Sequence, residues 1–248
     1  MAPVLNSTSI TLQFPNAPQP VLDGFSLSVA SGEFVAIVGG SGVGKSTLLR
    51  VLAGLLPAQS GTIMLNAEES AARRRRAIVF QDGRLMPWRT LSANVAYGLD
   101  GLKLTQEAKQ ARTDEVLRLT GLTELHDRYP HQLSGGQVQR AGIARALAVE
   151  PEVLFMDEPF SAVDALTRTS LQDELLRVWE LSQKAIVFVT HDIAEAVFLA
   201  DRVVVLSGSP ARIALDQTIG LARPRKRGSA EVADLTRTIG EALSEYTI

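Results

Sequence analysis

Phe34-Val35-Ala36-Ile37-Val38-Gly39-Gly40-Ser41-Gly42-Val43-Gly44-Lys45-Ser46-Thr47 runs from five consecutive apolar residues into a glycine-rich turn. An unbroken apolar run of this length predicts a strand covered on both faces. From Gly39 onward the sequence follows the phosphate-loop pattern G-x-x-x-x-G-K-[ST]. A helix is expected next, from Thr47 to Leu56, stopped by Pro57. Glycines let the backbone from Gly39 to Gly44 curl, so that successive N–H groups point inward at phosphate oxygens. The positive end of the following helix adds to that field. Lys45 is expected to reach the β- and γ-phosphates, and the Ser46 hydroxyl to ligate Mg²⁺. The competing reading is a glycine-rich turn with no ligand, and Lys45-Ser46-Thr47 after a buried strand weighs heavily against it. The stretch predicts binding and hydrolysis of a nucleoside triphosphate, ATP above all.

Outward from this loop, Leu5 to Phe14 and Phe25 to Val29 alternate apolar and polar residues, as half-buried strands do. Pro15, Asn16, Pro18 and Pro20 mark a loop between them. Thr62 to Leu65 and Ala77 to Phe80 read as further short strands. Between Ser92 and Glu150 the pattern turns helical, with Thr105 as an N-cap, Glu107 in a first turn and Gly121 closing a segment. Strand and helix then alternate: strand Val153 to Met156, helix Leu171 to Ser182, strand Ala185 to Thr190, helix Ile193 to Ala200, strand Arg202 to Leu206. Such alternation predicts an α/β layered core with a mainly parallel sheet. A last amphipathic helix spans Ser229 to Tyr246, with Val232, Leu235, Ile239 and Leu243 on one face.

Composition narrows the function classes. The 248 residues include no cysteine, which excludes disulfides, thiolate nucleophiles and cysteine-bound zinc. The three histidines, His126, His131 and His191, lack metal-helix spacing. A net charge of -2 gives no bulk attraction to nucleic acid. The apolar runs are too short to span a bilayer, and no secretory signal is visible, so any membrane role is expected to be peripheral. Arg73 to Arg76 and the cluster Arg223, Arg225, Lys226 and Arg227 read by default as solvated segments. A membrane-surface contact is the other reading of the second cluster.

Two further segments carry chemistry. Val153-Leu154-Phe155-Met156-Asp157-Glu158 places two carboxylates at the C-terminal end of a buried strand, where open α/β sheets bind ligands. Asp157 suits a contact to Mg²⁺, and Glu158 is placed to polarise an attacking water. An acidic pair merely capping the next segment is the alternative. Leu133-Ser134-Gly135-Gly136-Gln137 opens a helix and forms a second anion-binding terminus.

Together these segments resemble the motifs of ABC-type ATPases, and the resemblance extends from about Leu5 to Leu215. It implies a P-loop (RecA-like) α/β core over residues 1–91 and 151–222, carrying an N-terminal antiparallel β subdomain. An inserted α-helical subdomain would occupy 92–150, and a C-terminal helix 223–248. By the same resemblance Gln81 is the glutamine touching Mg²⁺ and the nucleophilic water, and His191 the histidine contacting the γ-phosphate. Ser161-Ala162-Val163-Asp164 is similar to the D-loop, although the family more often has Leu where Val163 stands. Val138 likewise replaces a residue commonly polar or basic. Phe14 stands where the family places an aromatic on adenine, while an aromatic in an alternating strand is as often core.

The resemblance implies a dimer, a homodimer or a pair with a paralogous ATPase, in which Ser134 to Gln137 and Asp164 of one copy complete the P-loop site of the other. Leu85-Met86-Pro87-Trp88, Asp157 to Phe160 and Thr190 to Phe198 are similar to the importer subgroup for nitrate, sulfonates and taurine. Such a subunit works at the cytoplasmic face of the cell membrane on permease subunits, and indirectly with an extracytoplasmic solute-binding protein. Trp88 is then an anchor for the permease, or else it packs the helical subdomain. An exporter subunit and a non-transport ABC ATPase are the alternatives.

Overall fold

The computed structural model describes residues 3–66 and 70–245. The chain divides into two compact units, one formed by Met1–Asn66 with Ala185–Ile248 and the other by Ala67–Lys184.

In the first unit, β1 (Pro3–Leu12) pairs antiparallel with both β2 (Leu22–Ala30) and β4 (Ser60–Leu65). The pairing of β1 is irregular around Ser9, whose φ is +51°. Gly61 faces that irregularity, and a Cβ there would lie 2.5 Å from the Ser9 carbonyl oxygen, so no other residue fits. β3 (Phe34–Gly39) lies between β7 (Ala185–Val189) and β8 (Arg202–Ser207), parallel to both. Every residue of β3 and β7 is buried, which is why Phe34 to Val38 reads as a continuous apolar run. α1 (Lys45–Leu52) packs on β3 and β7, while α6 (Ile193–Leu199) packs on β3 and β8. α7 (Ala230–Glu245) covers α6 and buries Val232 and Ile239 from the expected apolar face. Tyr246, expected in that helix, lies outside the described residues.

Three boundaries in this unit differ from the sequence expectation. α1 begins at Lys45 and ends at Leu52 rather than running from Thr47 to Leu56. Gly54, with φ +75°, stops it, and the N–H groups of Leu55 and Leu56 both return to the Arg50 carbonyl. β1 ends at Leu12, which leaves Phe14 in the following loop, 43% exposed and outside the core. β9 (Arg212–Thr218) was not expected at all; it pairs antiparallel with β8, and the alternation of Ile213 and Leu215 is its sequence signal.

The second unit holds the parallel pair β5 (Arg76–Val79) and β6 (Val153–Asp157), and four α-helices. These are α2 (Leu91–Tyr97), α3 (Gln106–Leu119), α4 (Gly135–Ala148) and α5 (Ala165–Ser182). Between β5 and β6 the described chain is helical or irregular, with α2, α3 and α4 packed on one another. Side-chain oxygens cap each helix start: Thr90 accepts from Ala93 N–H, Thr105 from Ala108, Ser134 from Gln137 and Asp164 from Thr167. The Asp164 cap starts α5 six residues before the expected Leu171, because its first turns are too polar to show an apolar period.

The basic run from Arg73 to Arg76 is tethered to this unit, although Arg74 stays exposed. Arg73 pairs with Glu152 at 2.6 Å, Arg74 donates to the Asp100 carbonyl at 3.0 Å, and Arg76 opens β5. Arg112 of α3 meets the same segment through the Ala72 carbonyl at 2.6 Å.

Candidate active site

The phosphate loop follows directly from β3. Gly39, its last residue, is buried against β8, where an added Cβ would come within 2.7 Å of the Leu206 carbonyl oxygen. Gly44 takes φ +105° at the head of α1, and a Cβ there would strike Val21 at 2.7 Å. Gly40 and Gly42 instead have open space around them, and Ser41 and Gly42 are exposed. Two glycines are thus demanded by the fold, and two leave room above the loop. Val43 is half-buried, as are Ser46 and Thr47 in the first turn of α1. The Lys45 side chain is buried, and its Nζ donates to the carbonyls of Gly39 and Gly40 at 2.9 and 3.0 Å. The loop therefore holds its own ammonium beside a helix N-terminus, a concentrated positive field.

β7 runs beside β3 and ends at the same edge, since Ile37 pairs with Val189 and the Thr190 N–H donates to the Ile37 carbonyl. His191 follows and is exposed. Its neighbours are pinned: Thr190 Oγ1 donates to the buried Glu195 carboxylate at 2.5 Å and accepts from Asp192 N–H at 3.0 Å. Asp192 in turn caps α6 through Glu195 N–H at 3.0 Å. The sequence reading passed over Thr190 and Glu195, although Asp192 three residues before Glu195 is a helix-start pattern.

In the second unit the carboxyl ends of β5 and β6 lie together, with Val79 paired to Met156. Asp157 ends β6 and is buried, and Glu158 follows half-buried with φ +44°. That left-handed backbone is strained for a residue with a Cβ, and such strain collects at functional sites. Gln81 is exposed, two residues beyond the end of β5.

The loop after Gln81 is held by α4, an arrangement that sequence spacing does not disclose. Gln139 donates to the Phe80 carbonyl at 3.4 Å, and Arg145 donates to the carbonyls of Gly83 and Arg84, both at 2.7 Å. Burial lowers the Arg145 pKa, with the Asp82 charge opposing. Val138, the departure from the family pattern, packs against Gly83, where an added Cβ would come 3.0 Å from its carbonyl oxygen. At the head of α4, Ser134 and Gln137 form a reciprocal capping box with bonds of 2.9 and 3.3 Å. Ser134 and Gly135 are exposed and Gly136 is buried; a Cβ on Gly136 would lie 2.8 Å from Thr167 Cγ2.

Asp164 is exposed and caps α5, and hydrogen bonds from Thr167, side chain and then backbone, lower its pKa. Asn94, fully buried on α2, fastens the loop carrying Trp88. It accepts from Met86 N–H at 2.7 Å and donates to the carbonyls of Met86, Arg89 and Thr90 at 3.0 to 3.1 Å. Trp88 is 72% exposed, so it does not pack the helical segment.

The ABC transporter family model matches residues 22–161, from β2 through β6 to Ser161. This chain belongs to the ABC transporter family. It is an ABC-type ATPase, with the α/β architecture that the alternation of strands and helices and the family resemblance implied. An aliphatic sulfonates import ATP-binding protein of Mesorhizobium japonicum is 51% identical over 90% of this chain and 83% of the relative. The taurine import ATP-binding protein of Pseudomonas fluorescens is 42% identical over 85% of this chain and 80% of its own length. Among solved structures, cbiO1 of Clostridium perfringens, part of an ABC transporter complex, superposes with a TM-score of 0.76 at 29% identity. That match covers 88% of this chain and 90% of cbiO1. A dimeric ATP-binding cassette in a post-hydrolysis state with ADP and phosphate gives 0.74 at 28% identity, covering 88% of this ABC ATPase and all of that chain. No described helix of this ATPase is long and apolar enough to cross a membrane.

Proposed function

We propose that this ABC ATPase powers an importer of a small solute such as an aliphatic sulfonate, taurine or nitrate. It works as a homodimer on permease subunits at the cytoplasmic face of the membrane, with an extracytoplasmic solute-binding protein delivering the solute. The observation that carries the reading is the chain's second phosphate-type helix start. Ser134 and Gly135 stand exposed at the head of α4, which has no carboxylate in its first turn. Similarity to sulfonate and taurine import ATP-binding proteins supports the direction and class of transport.

The chemistry follows from the residues. Backbone N–H groups of Gly39 to Gly44 and the Lys45 ammonium bind the triphosphate, with Thr47 in the helix turn behind them and Phe14 against the base. The γ-phosphate is then bracketed by His191 and, from the partner copy, by Ser134 to Gln137 beside Asp164. Glu158 orients a water in line and takes its proton as the new O–P bond forms. The bond from phosphorus to the β–γ bridging oxygen breaks, and that electron pair leaves with ADP. The Ser46 hydroxyl, Gln81 amide and Asp157 carboxylate are hard oxygen donors of the kind Mg²⁺ takes, and they fit that ion. Bound with the nucleotide, Mg²⁺ would supply charge neutralisation at the phosphates. Rate enhancement comes from positioning and charge stabilisation, with no covalent intermediate.

Glu158→Gln tests the assignment. It is expected to keep ATP affinity, lose more than about a hundredfold in turnover, and elute as a dimer with ATP. Elution as a monomer, or turnover near wild type, overturns the shared site or the role of Glu158. Growth on an alkanesulfonate as sole sulfur source, restored by this gene with its permease and not by its Lys45→Ala form, tests the import reading.

A further inference from the structure

α6 has only seven residues, and the last carbonyls of any helix lack partners within it. Here two arginines from the segment beyond β9 take them. Arg225 Nη1 donates to the carbonyls of Val197, Phe198 and Ala200 at 2.7, 3.2 and 2.6 Å. Arg223 takes the remaining one, Leu199, at 2.5 Å, and also donates to the Asp201 carboxylate. The Arg227 guanidinium lies over the Phe198 ring, 3.7 Å from its centroid. Arg225 is 8% exposed, and the segment that looked like a solvated basic linker is a clamp on the negative end of a helix. Burial and the neighbouring Arg223 charge push the Arg225 pKa down to about 10, so the clamp stays charged at neutral pH.

The other end of α6 carries His191. Both residues flanking it, Thr190 and Asp192, are hydrogen-bonded to Glu195 within α6. A helix of this length is a rod about 10 Å long, clamped at one end by Arg225 and Arg223 and joined at the other to the histidine.

We infer that Arg225, aided by Arg223, is a positioning residue for His191: it fixes α6 at its C-terminus and thereby sets where the imidazole is presented. The inference rests on the reading of His191 as the γ-phosphate contact. A guanidinium suits the task better than an ammonium, because its fixed fork lets Nη1 hold the α6 carbonyls while Nε donates to the Leu221 carbonyl at 3.2 Å.

The test uses the full-length ATPase. Arg225→Met is expected to lower kcat about tenfold while KM for ATP and binding of a fluorescent ATP analogue stay within about twofold. Arg225→Lys should recover part of the loss. In a His191→Ala background, Arg225→Met should lower kcat no further, since both changes act through one group. With three histidines in the chain, imidazole NMR resolves His191 by its absence in His191→Ala. Its resonances should shift in Arg225→Met while those of His126 and His131 hold still. An unchanged kcat with an unmoved His191 resonance, or losses that multiply in the double variant, overturns the inference. Wild-type turnover in His191→Ala would instead overturn the reading of His191, and the NMR comparison would still decide the clamp. Should Arg225→Met not fold, Arg223→Gln removes the Leu199 and Asp201 contacts while leaving Arg225 in place, and is read in the same way.

Discussion

Asn94→Ala removes the most heavily bonded side-chain amide in the second unit, and its cost follows from the geometry. The side chain is fully buried, accepts one hydrogen bond from Met86 N–H at 2.7 Å and shares its two N–H protons among three carbonyls. Counting one accepted and two donated bonds at about 1 kcal/mol each gives about 3 kcal/mol. Water reaching the half-buried Met86 and Arg89 recovers part of that, so we expect a loss of about 2 to 3 kcal/mol. Asn94→Asp should cost at least as much, because it keeps the acceptor but turns a carboxylate towards three carbonyls. Urea unfolding measures the global term. Tryptic cleavage after Arg84 and Arg89 measures local opening of the loop that carries Trp88. ATP turnover of the isolated protein should survive, whereas permease-coupled turnover should fall as the Trp88 loop loosens. A stability change below about 0.5 kcal/mol with unaltered cleavage would show that Asn94 does not hold this loop.

Gly136→Ala is expected to cost about 1 to 3 kcal/mol in urea unfolding, because the new Cβ would lie 2.8 Å from the methyl of Thr167, a short branched side chain. No loss would mean that α4 and α5 separate freely. Glu158→Gly should be about 1 kcal/mol more stable than Glu158→Ala, since φ +44° strains any residue with a Cβ; both should be inactive, and equal stability would remove the strain argument. Asp164, Glu107 and Glu231 all have lowered pKa values, through Thr167 for the first and through their own backbone N–H groups and then Thr105 and Ser229 for the others. Their contribution is therefore present above the ordinary carboxylate range and is lost as pH falls through the lowered values. Asp164→Asn should flatten the fall of the urea midpoint below about pH 5, and an unchanged acid limb would refute the assignment.

What was legible in the sequence obeyed local rules strong enough to act alone. The apolar run of β3 announces a strand buried on both faces, and Gly39 and Gly44 sit where a side chain would strike Leu206 or Val21. Thr105 and Ser134 cap helices because a short oxygen-bearing side chain ahead of a helical pattern has one obvious use. The family assignment followed from such segments in order, and the similarity to known ABC ATPases agrees with it. The early start of α5 escaped because its first turns have no apolar period, and the Asp164 cap creates it; β9 shows only the brief alternation of Ile213 and Leu215, and pairing with β8 completes it. Phe14 misled for the opposite reason: its alternation with Leu12 continued past the point where β1 ends.

The two basic clusters show why charge patterning fails at a particular kind of residue. A charge run reads as solvated when its partners are assumed to be water or carboxylates. Here many partners are backbone carbonyls, Asp100 for Arg74, and Val197, Phe198, Leu199 and Ala200 for Arg223 and Arg225, beside the carboxylates of Glu152 for Arg73 and Asp201 for Arg223. A carbonyl has no residue identity, so no sequence pattern can point to it. Position decides which members of the second cluster are buried: Arg225 is buried, while the adjacent Lys226 and Arg227 are both exposed. A guanidinium is weakly hydrated and carries several directed donors, so Arg225 is buried where it meets the last carbonyls of α6. In the run Arg73 to Arg76, Arg74 reaches the Asp100 carbonyl while staying exposed, and Arg73 pairs with the Glu152 carboxylate. An arginine lying beside the C-terminal end of a short helix is therefore better read as a carbonyl clamp than as part of a solvated face.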